Sequence, residues 1–228
     1  MIEAASLGAA AVVIAVDGPA AAGKGTLAKR LAQHYRFAHL DTGAIYRAAA
    51  LQALLGGGDP AAPEIAEAAA KRVRAEHLTD PRLRDEKVAG AASIVAAIPA
   101  VRATLLAFQR QFAAHPPAPA AGAVLDGRDI GTAVCPAAPV KIFVTASLET
   151  RARRRFKELQ AAGLEAIYER VLQDMKDRDA RDRERRTAPL VPAEDAFVLD
   201  TTALNADAAF AAAVAYIDGK LAGQLSSL

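Results

Sequence analysis

The strongest chemical signal in the chain is the run Gly18-Pro19-Ala20-Ala21-Ala22-Gly23-Lys24-Gly25-Thr26. Gly18 and Gly23 free the backbone to curl so that successive N–H groups converge on phosphate oxygens, and Lys24 adds a mobile positive charge for β- and γ-phosphates. A hydroxyl for a magnesium ion usually follows the lysine directly; here Gly25 intervenes and Thr26 supplies it one place later. A second cluster, Gly127-Arg128-Asp129-Ile130-Gly131-Thr132, packs an arginine and an acid between glycines. It follows the apolar run Ala123-Val124-Leu125-Asp126, the form of a strand whose terminal carboxylate, Asp126, reaches magnesium through water. The competing reading of Asp129 is a turn stabilised by its own acid. A third cluster is rich in arginine: Arg151, Arg153, Arg154 and Arg155, then the alternating acids and arginines from Asp174 to Arg186. Alternating charge usually marks a solvated, salt-bridged helix face. Two such helices flanking a turn at Gly163, in a chain that binds phosphate, also fit a lid over about 151–185 that closes positive charge on a transferred group.

These residues need elements to position them. The run from Val12 to Val16 has the length of a buried parallel strand and leads through the loop into a helix patterned by Leu27, Ala28, Leu31 and Ala32. Phe37 to Asp41 reads as a second strand, and Thr42 is placed to cap a helix that carries Arg47 on its first turns. Gly56-Gly57-Gly58-Asp59-Pro60 ends that helix. Helices are predicted over Pro63 to Ala75, Glu86 to Ala97 and Val101 to Ala114, the last burying Val101, Leu105, Phe108 and Phe112 on one face. Ser93 and Arg102 are polar residues on that apolar ground. A proline-rich connector, His115 to Gly122, is expected extended and exposed. Strands follow at Ala123 to Asp126, Val140 to Ala146 and Phe197 to Asp200, with an amphipathic helix from Ala206 to Leu221 closing the chain. The prediction is an α/β P-loop kinase fold: a doubly wound, five-stranded parallel sheet with the phosphate loop at its centre. One domain spans 1–228, with a core of 9–47 and 122–228 and a helical insertion at about 48–115.

With 228 residues, 53% of them hydrophobic, the chain can bury one sizeable core. A net charge of +2 creates no overall field for nucleic acid or membrane, so neither is expected as a partner. The single cysteine, Cys135, reads as a small buried hydrophobe in a reducing compartment. Leu7 to Val16 resembles the apolar core of an export signal, but Glu3 stands where positive charge is needed, and the expectation is a cytoplasmic monomer.

Seven segments, in order, resemble the bacterial cytidylate kinases: Ile14 to Thr26, Leu40 to Arg47, Ala91 to Ser93, Asp126 to Thr132, Ala138 to Phe143, Arg178 to Arg185 and Ala188 to Leu190. The resemblance implies that Thr42, Arg47, Ser93, Arg102, Arg128, Asp129, Arg178, Asp182 and Arg185 hold a nucleoside monophosphate. Arg47, Arg128 and Arg185 would take its phosphate, Ser93, Arg102 and Asp129 the cytosine, and Arg178 with Asp182 the sugar. Arg151, Arg154 and Arg155 match lid positions and Arg153 does not; Lys24, Arg128, Arg154 and Arg155 would act on the transferred phosphoryl. Gly18 to Thr26 would hold ATP, with Mg²⁺ at Thr26 and Asp126. Ala21 stands where the family has Gly or Ser, and the insertion is shorter and lacks a strand hairpin. The implied reaction carries the γ-phosphoryl of ATP to CMP or dCMP. Such an acceptor is already anionic and needs positioning and charge neutralisation more than a base. Open alternatives are a kinase acting on UMP, shikimate, gluconate or dephospho-coenzyme A, and a non-catalytic nucleotide switch.

Overall fold

Val12–Asp17 forms strand β1; Ile14, Ala15 and Val16 are fully buried because strands pair with both of its edges and helices cover both of its faces. The computed structural model describes residues 11–225. The other strands are β2 (Ala38–Asp41), β3 (Gly122–Gly127), β4 (Val140–Thr145) and β5 (Phe197–Asp200), in the order β2-β3-β1-β4-β5 and all parallel. Register pairs Asp41 with Asp126 and Asp17 with Gly127, so β1, β2 and β3 end level. Ligands of open parallel sheets bind at that carboxyl edge.

Strand alternation divides the core. Ile14, Val16, Val124, Ile142 and Val144 face helix α1 (Lys24–Tyr35) and the closing helix (Ala206–Leu225) through Leu27, Leu31, Ala213 and Ile217. Ala15 and Leu125 face helix α2 (Thr42–Leu55) and the insertion, through Ile45, Ala49, Val101 and Leu105. Each fully buried Leu or Ile contributes about 1.5–3 kcal/mol. The N-terminal apolar stretch before residue 11 lies outside the described residues.

The insertion is helical, as expected: α3 (Pro63–Lys71), α4 (Glu86–Val95) and α5 (Pro99–Ala114), with no strand among its described residues. The axes of α4 and α5 meet at 100° across Pro99, which starts α5 at a position where proline's missing N–H costs nothing. Ser93 lies on α4 and Arg102 on the first turn of α5. Helices α6 (Leu148–Ala161) and α7 (Tyr168–Glu184) pack on one another beside the site, while α8 (Ala206–Leu225) packs on α1, β4 and β5. Gly163 turns the lid chain at φ +73°, and Ala152, Leu159, Val171 and Met175 form its small core.

Several expectations are corrected. The cap of α2 is Asp41, whose carboxylate accepts from the Ala44 N–H at 3.0 Å; Thr42 is the first helical residue. Helix α3 stops at Lys71 rather than Ala75, because the Arg74 guanidinium takes the Lys71 and Val73 carbonyls at 2.9 Å each. Phe108 is 36% exposed; the buried face of α5 is Val101, Leu105, Gln109 and Ala113. Gln109 fits there because its amide donates to the Leu105 carbonyl at 3.1 Å. The connector is not simply extended: Ala120 N–H donates to Pro117 O, closing a turn. Helix α8 runs to Leu225, and Cys135 is half-buried.

Candidate active site

The phosphate loop is built by close approach. Gly18 has φ +149°, and a Cβ there would lie 2.0 Å from the Val144 carbonyl oxygen, so no side chain fits. Gly23 is the N-cap of α1 at φ +91°, and the helix begins with no side-chain cap. Its first N–H groups are therefore left for an anion. Gly25 has open space around its Cβ position. Ala21 takes φ +56°, a left-handed conformation that explains why Gly suits this position. Pro19, Ala20 and Ala22 complete the loop, and the Ala22 carbonyl accepts from Thr201 Oγ1 at 2.9 Å.

Around the loop the cations outnumber their partners. A cleft of about 840 Å³ is lined by Lys24, Arg47, Ser93, Arg128, Arg155 and Arg178, among others. Burial, and next the Arg128 guanidinium, push the Lys24 ammonium down to about 7, against Asp126 and Asp41. Arg178 is pushed down to about 10 by burial and then by Arg128, and its buried Nε has no partner. Arg47 donates to Asp41 at 2.7 Å, and Arg128 Nε donates to Asp182 at 2.9 Å. Arg47 and Arg128, like Lys24 and Arg178, crowd positive charge into one space that a phosphate would relieve.

Arg102, Asp129, Asp182 and Arg185 are not among the residues that line this cleft; next to it, the Asp129 carboxylate lies between two arginines. Arg102 Nη2 donates to Oδ2, and Arg185 Nη2 to Oδ1 at 3.3 Å. Asp129 is 5% exposed and Ser93 likewise, and Ser93 Oγ is a buried hydroxyl without a partner. Asp129 does not stabilise its own turn, which settles the competing reading against it. Thr42 is buried, with its hydroxyl committed to the Asp126 carbonyl at 2.8 Å. A Cβ on Gly127 would come 2.5 Å from that hydroxyl, so the glycine lets β3 pass close to α2. Thr42 thus lies beneath the site and outside the cleft lining.

The lid arginines fall into separate environments. Arg151 is buried against Asp179 at 2.7 and 3.2 Å and joins α6 to α7. Arg154 reaches back beside the loop, donating to Thr201 at 3.0 and 2.6 Å. Arg155 pairs with Glu86 across the cleft and with Glu158 on its own helix, while Arg153 is exposed. Thr26 has an exposed position on α1, and the Asp126 carboxylate accepts from His39 Nε2–H through one oxygen, Oδ2, at 2.7 Å. No three acids or histidines gather as a metal cage among the described residues.

Sequence reasoning missed Asp17, Glu86 and His39. Asp17 ends β1 immediately before the phosphate loop, and its partners, Ile130 and Gly131, lie 113 and 114 positions away. No single helix among the described residues is long and apolar enough to cross a membrane.

The family model described as cytidylate kinase matches residues 14–218. The chain is 60% identical to a cytidylate kinase of Paramagnetospirillum magneticum, covering 91% of this chain and 98% of that one. It is 58% identical to a cytidylate kinase of a Methylobacterium species, covering 93% and 100%. A crystal structure of an uncharacterised Eubacterium ventriosum protein shares the fold with a TM-score of 0.52 at 16% identity, covering 91% and 98%.

Proposed function

The chain belongs to the cytidylate kinase family, and we propose that its cleft holds ATP and a pyrimidine monophosphate with their phosphates end to end. The enzyme is a cytidylate kinase that phosphorylates CMP or dCMP to the diphosphate, a step of pyrimidine nucleotide metabolism. The observation that carries the site reading is the crowding of Lys24, Arg47, Arg128 and Arg178 at the end of the phosphate loop, where Lys24 and Arg178 form no ion pair among the described residues.

Each residue then has a physical task. The loop amides of Gly18 to Thr26 and the start of α1 take the donor's β- and γ-phosphates, and Lys24 neutralises the bridge between them. Arg47, Arg128 and Arg185 neutralise the acceptor phosphate so that two anions can approach. Arg154, already beside Gly23, and Arg155, once it leaves Glu86, bring charge to the migrating group. Arg178 and Asp182 flank the sugar. A donor set of one hydroxyl, Thr26, and one acid, Asp126, fits Mg²⁺, which keeps phosphate and water as its other ligands. The bound ion would supply charge neutralisation on the phosphoryl oxygens. The single Cys135 fits a cytoplasmic enzyme.

Cytosine is read by Asp129, Arg102 and Ser93. The N4 amino group donates to a carboxylate that uracil's O4 would face with repulsion, and Arg102 donates to the N3 and O2 acceptors. Asp129 already holds two arginines but has lone pairs to spare for a third donor. The test is ADP release across CMP, dCMP, UMP, AMP, GMP and shikimate, in wild type and Asp129→Asn. Asp129→Asn lowers kcat/KM for CMP by about 2–4 kcal/mol and erodes the preference over UMP. If both pyrimidines lose equally, Asp129 is not the base reader.

A further inference from the structure

Asp129 stands at the N-cap of the wide helical turn Ile130–Val134, with φ −152°. Asp is among the residues that most readily cap their own helix. Here its carboxylate makes no capping bond. The turn's first two N–H groups instead go to another acid: Ile130 N–H donates to Asp17 Oδ1 and Gly131 N–H to Asp17 Oδ2, each at 2.7 Å. Asp17 is the last residue of β1, immediately before Gly18, and only 6% exposed. We infer that Asp17 is a positioning residue for base recognition: it caps this turn from the neighbouring strand and so releases Asp129 to face Arg102 and Arg185. This rests on the reading of Asp129 proposed above.

The surroundings fit that task and no simpler one. Asp17 forms no ion pair among the described residues, so its charge is met by the two peptide N–H groups, with Lys24 acting from further off. An acid buried in this way is expensive to keep for stability alone. Burial accordingly pushes its carboxyl up to about 6 in spite of the two N–H donors. Gly131 lets the turn pass close to Lys141, since a Cβ there would lie 3.1 Å from Lys141 Cδ, while its distance of 3.4 Å to Asp17 Oδ2 is ordinary contact. Asp17, held by the sheet one residue before the phosphate loop, thereby sets where the base-reading turn stands relative to that loop. That placement matters in a reaction that depends on holding donor and acceptor in line.

Asp17→Asn keeps the shape but turns one acceptor into a donor facing an N–H. Amide exchange at residues 130 and 131, the CMP and UMP kinetics, and KM for ATP are measured together. Exchange at both amides should accelerate by about tenfold or more. KM for CMP should rise by about tenfold with a smaller change in kcat, the CMP-to-UMP ratio should fall, and KM for ATP should stay within about twofold. Asp17→Ala, which removes both acceptors without setting a donor against an N–H, should reproduce the pattern and decides the matter if Asp17→Asn does not fold. Wild-type exchange at the two amides, or an unchanged CMP-to-UMP ratio in a folded variant, overturns the inference. So does a rise in KM for ATP equal to that for CMP, which would assign Asp17 to the phosphate loop. Asp129→Asn separates the two readings: if it leaves the ratio intact, base reading by Asp129 fails, and faster exchange in Asp17→Asn would then show the cap alone.

Discussion

Lys24 gives a proton linkage that can be counted. In the nucleotide-free cleft its ammonium sits at about 7 instead of 10.5, because burial strips its water and Arg128 faces it. A polyphosphate arriving beside it favours the charged form and returns the value towards normal. At pH 8.5 nearly every Lys24 is neutral before binding and charged after it, so about one proton is taken up per nucleotide bound. The terminal phosphate of ATP is already ionised at that pH and does not contribute. Affinity should fall about tenfold per pH unit between roughly pH 7 and 10. The stability sign follows from the same lowering: between about 7 and 10.5 the folded protein binds fewer protons than the unfolded chain, so nucleotide-free stability rises with pH across that window. Calorimetric titration of a non-hydrolysable ATP analogue, without metal, in two buffers of different ionisation enthalpy reads the proton count. Lys24→Met should remove the uptake. A binding enthalpy independent of buffer in the wild type at pH 8.5 would show that Lys24 is already charged and that the cleft is less dry than this geometry requires.

Two further predictions concern stability. Ala21→Gly should stabilise the protein by about 1 kcal/mol in urea unfolding, since it relieves a left-handed alanine at φ +56°; a lower midpoint for the glycine variant would refute the strain. Arg151→Ala should cost about 3–5 kcal/mol by stranding the buried Asp179, whereas Arg151→Met combined with Asp179→Leu should recover most of the loss; equal losses would show that the pair is not the joint of the lid.

What was legible in the sequence was whatever a short stretch specifies alone. The run from Val12 to Thr26 contains its own strand, its own glycines and its own helix, and it folds as read. Local chemistry with two close candidates was harder: Asp41 and Thr42 are both good caps, and the carboxylate took the place. On α5 the aromatic Phe108 suggested burial, while Gln109 occupies the core because it can satisfy its amide on its own helix. Asp17 was illegible for another reason. Nothing local distinguishes an acid at a strand end from one that caps a turn 113 residues away, and the pairing exists only once β1 and β3 lie side by side.

The arginine-rich helices show how two readings of one segment combine. A solvated face and a phosphate lid compete only if all the arginines share one role, and helical spacing prevents that. Arg151, Arg154 and Arg155 lie at three- and four-residue steps and turn inward on α6, while Arg153 falls between them and is exposed. On α7 and just beyond, Arg178, Asp182 and Arg185 keep the same spacing and are withdrawn from solvent, whereas Arg181, Arg183 and Arg186 are exposed. The inward set is further graded by partners. Arg151 is fully committed to Asp179 and serves structure; Arg155 is held by Glu86 and Glu158, from which a phosphate can take it; the Arg178 Nε has no partner at all. Positive charge is therefore present in the cleft before any nucleotide arrives, on Arg178 and on Arg155, whose two acid partners are exposed and weakly binding.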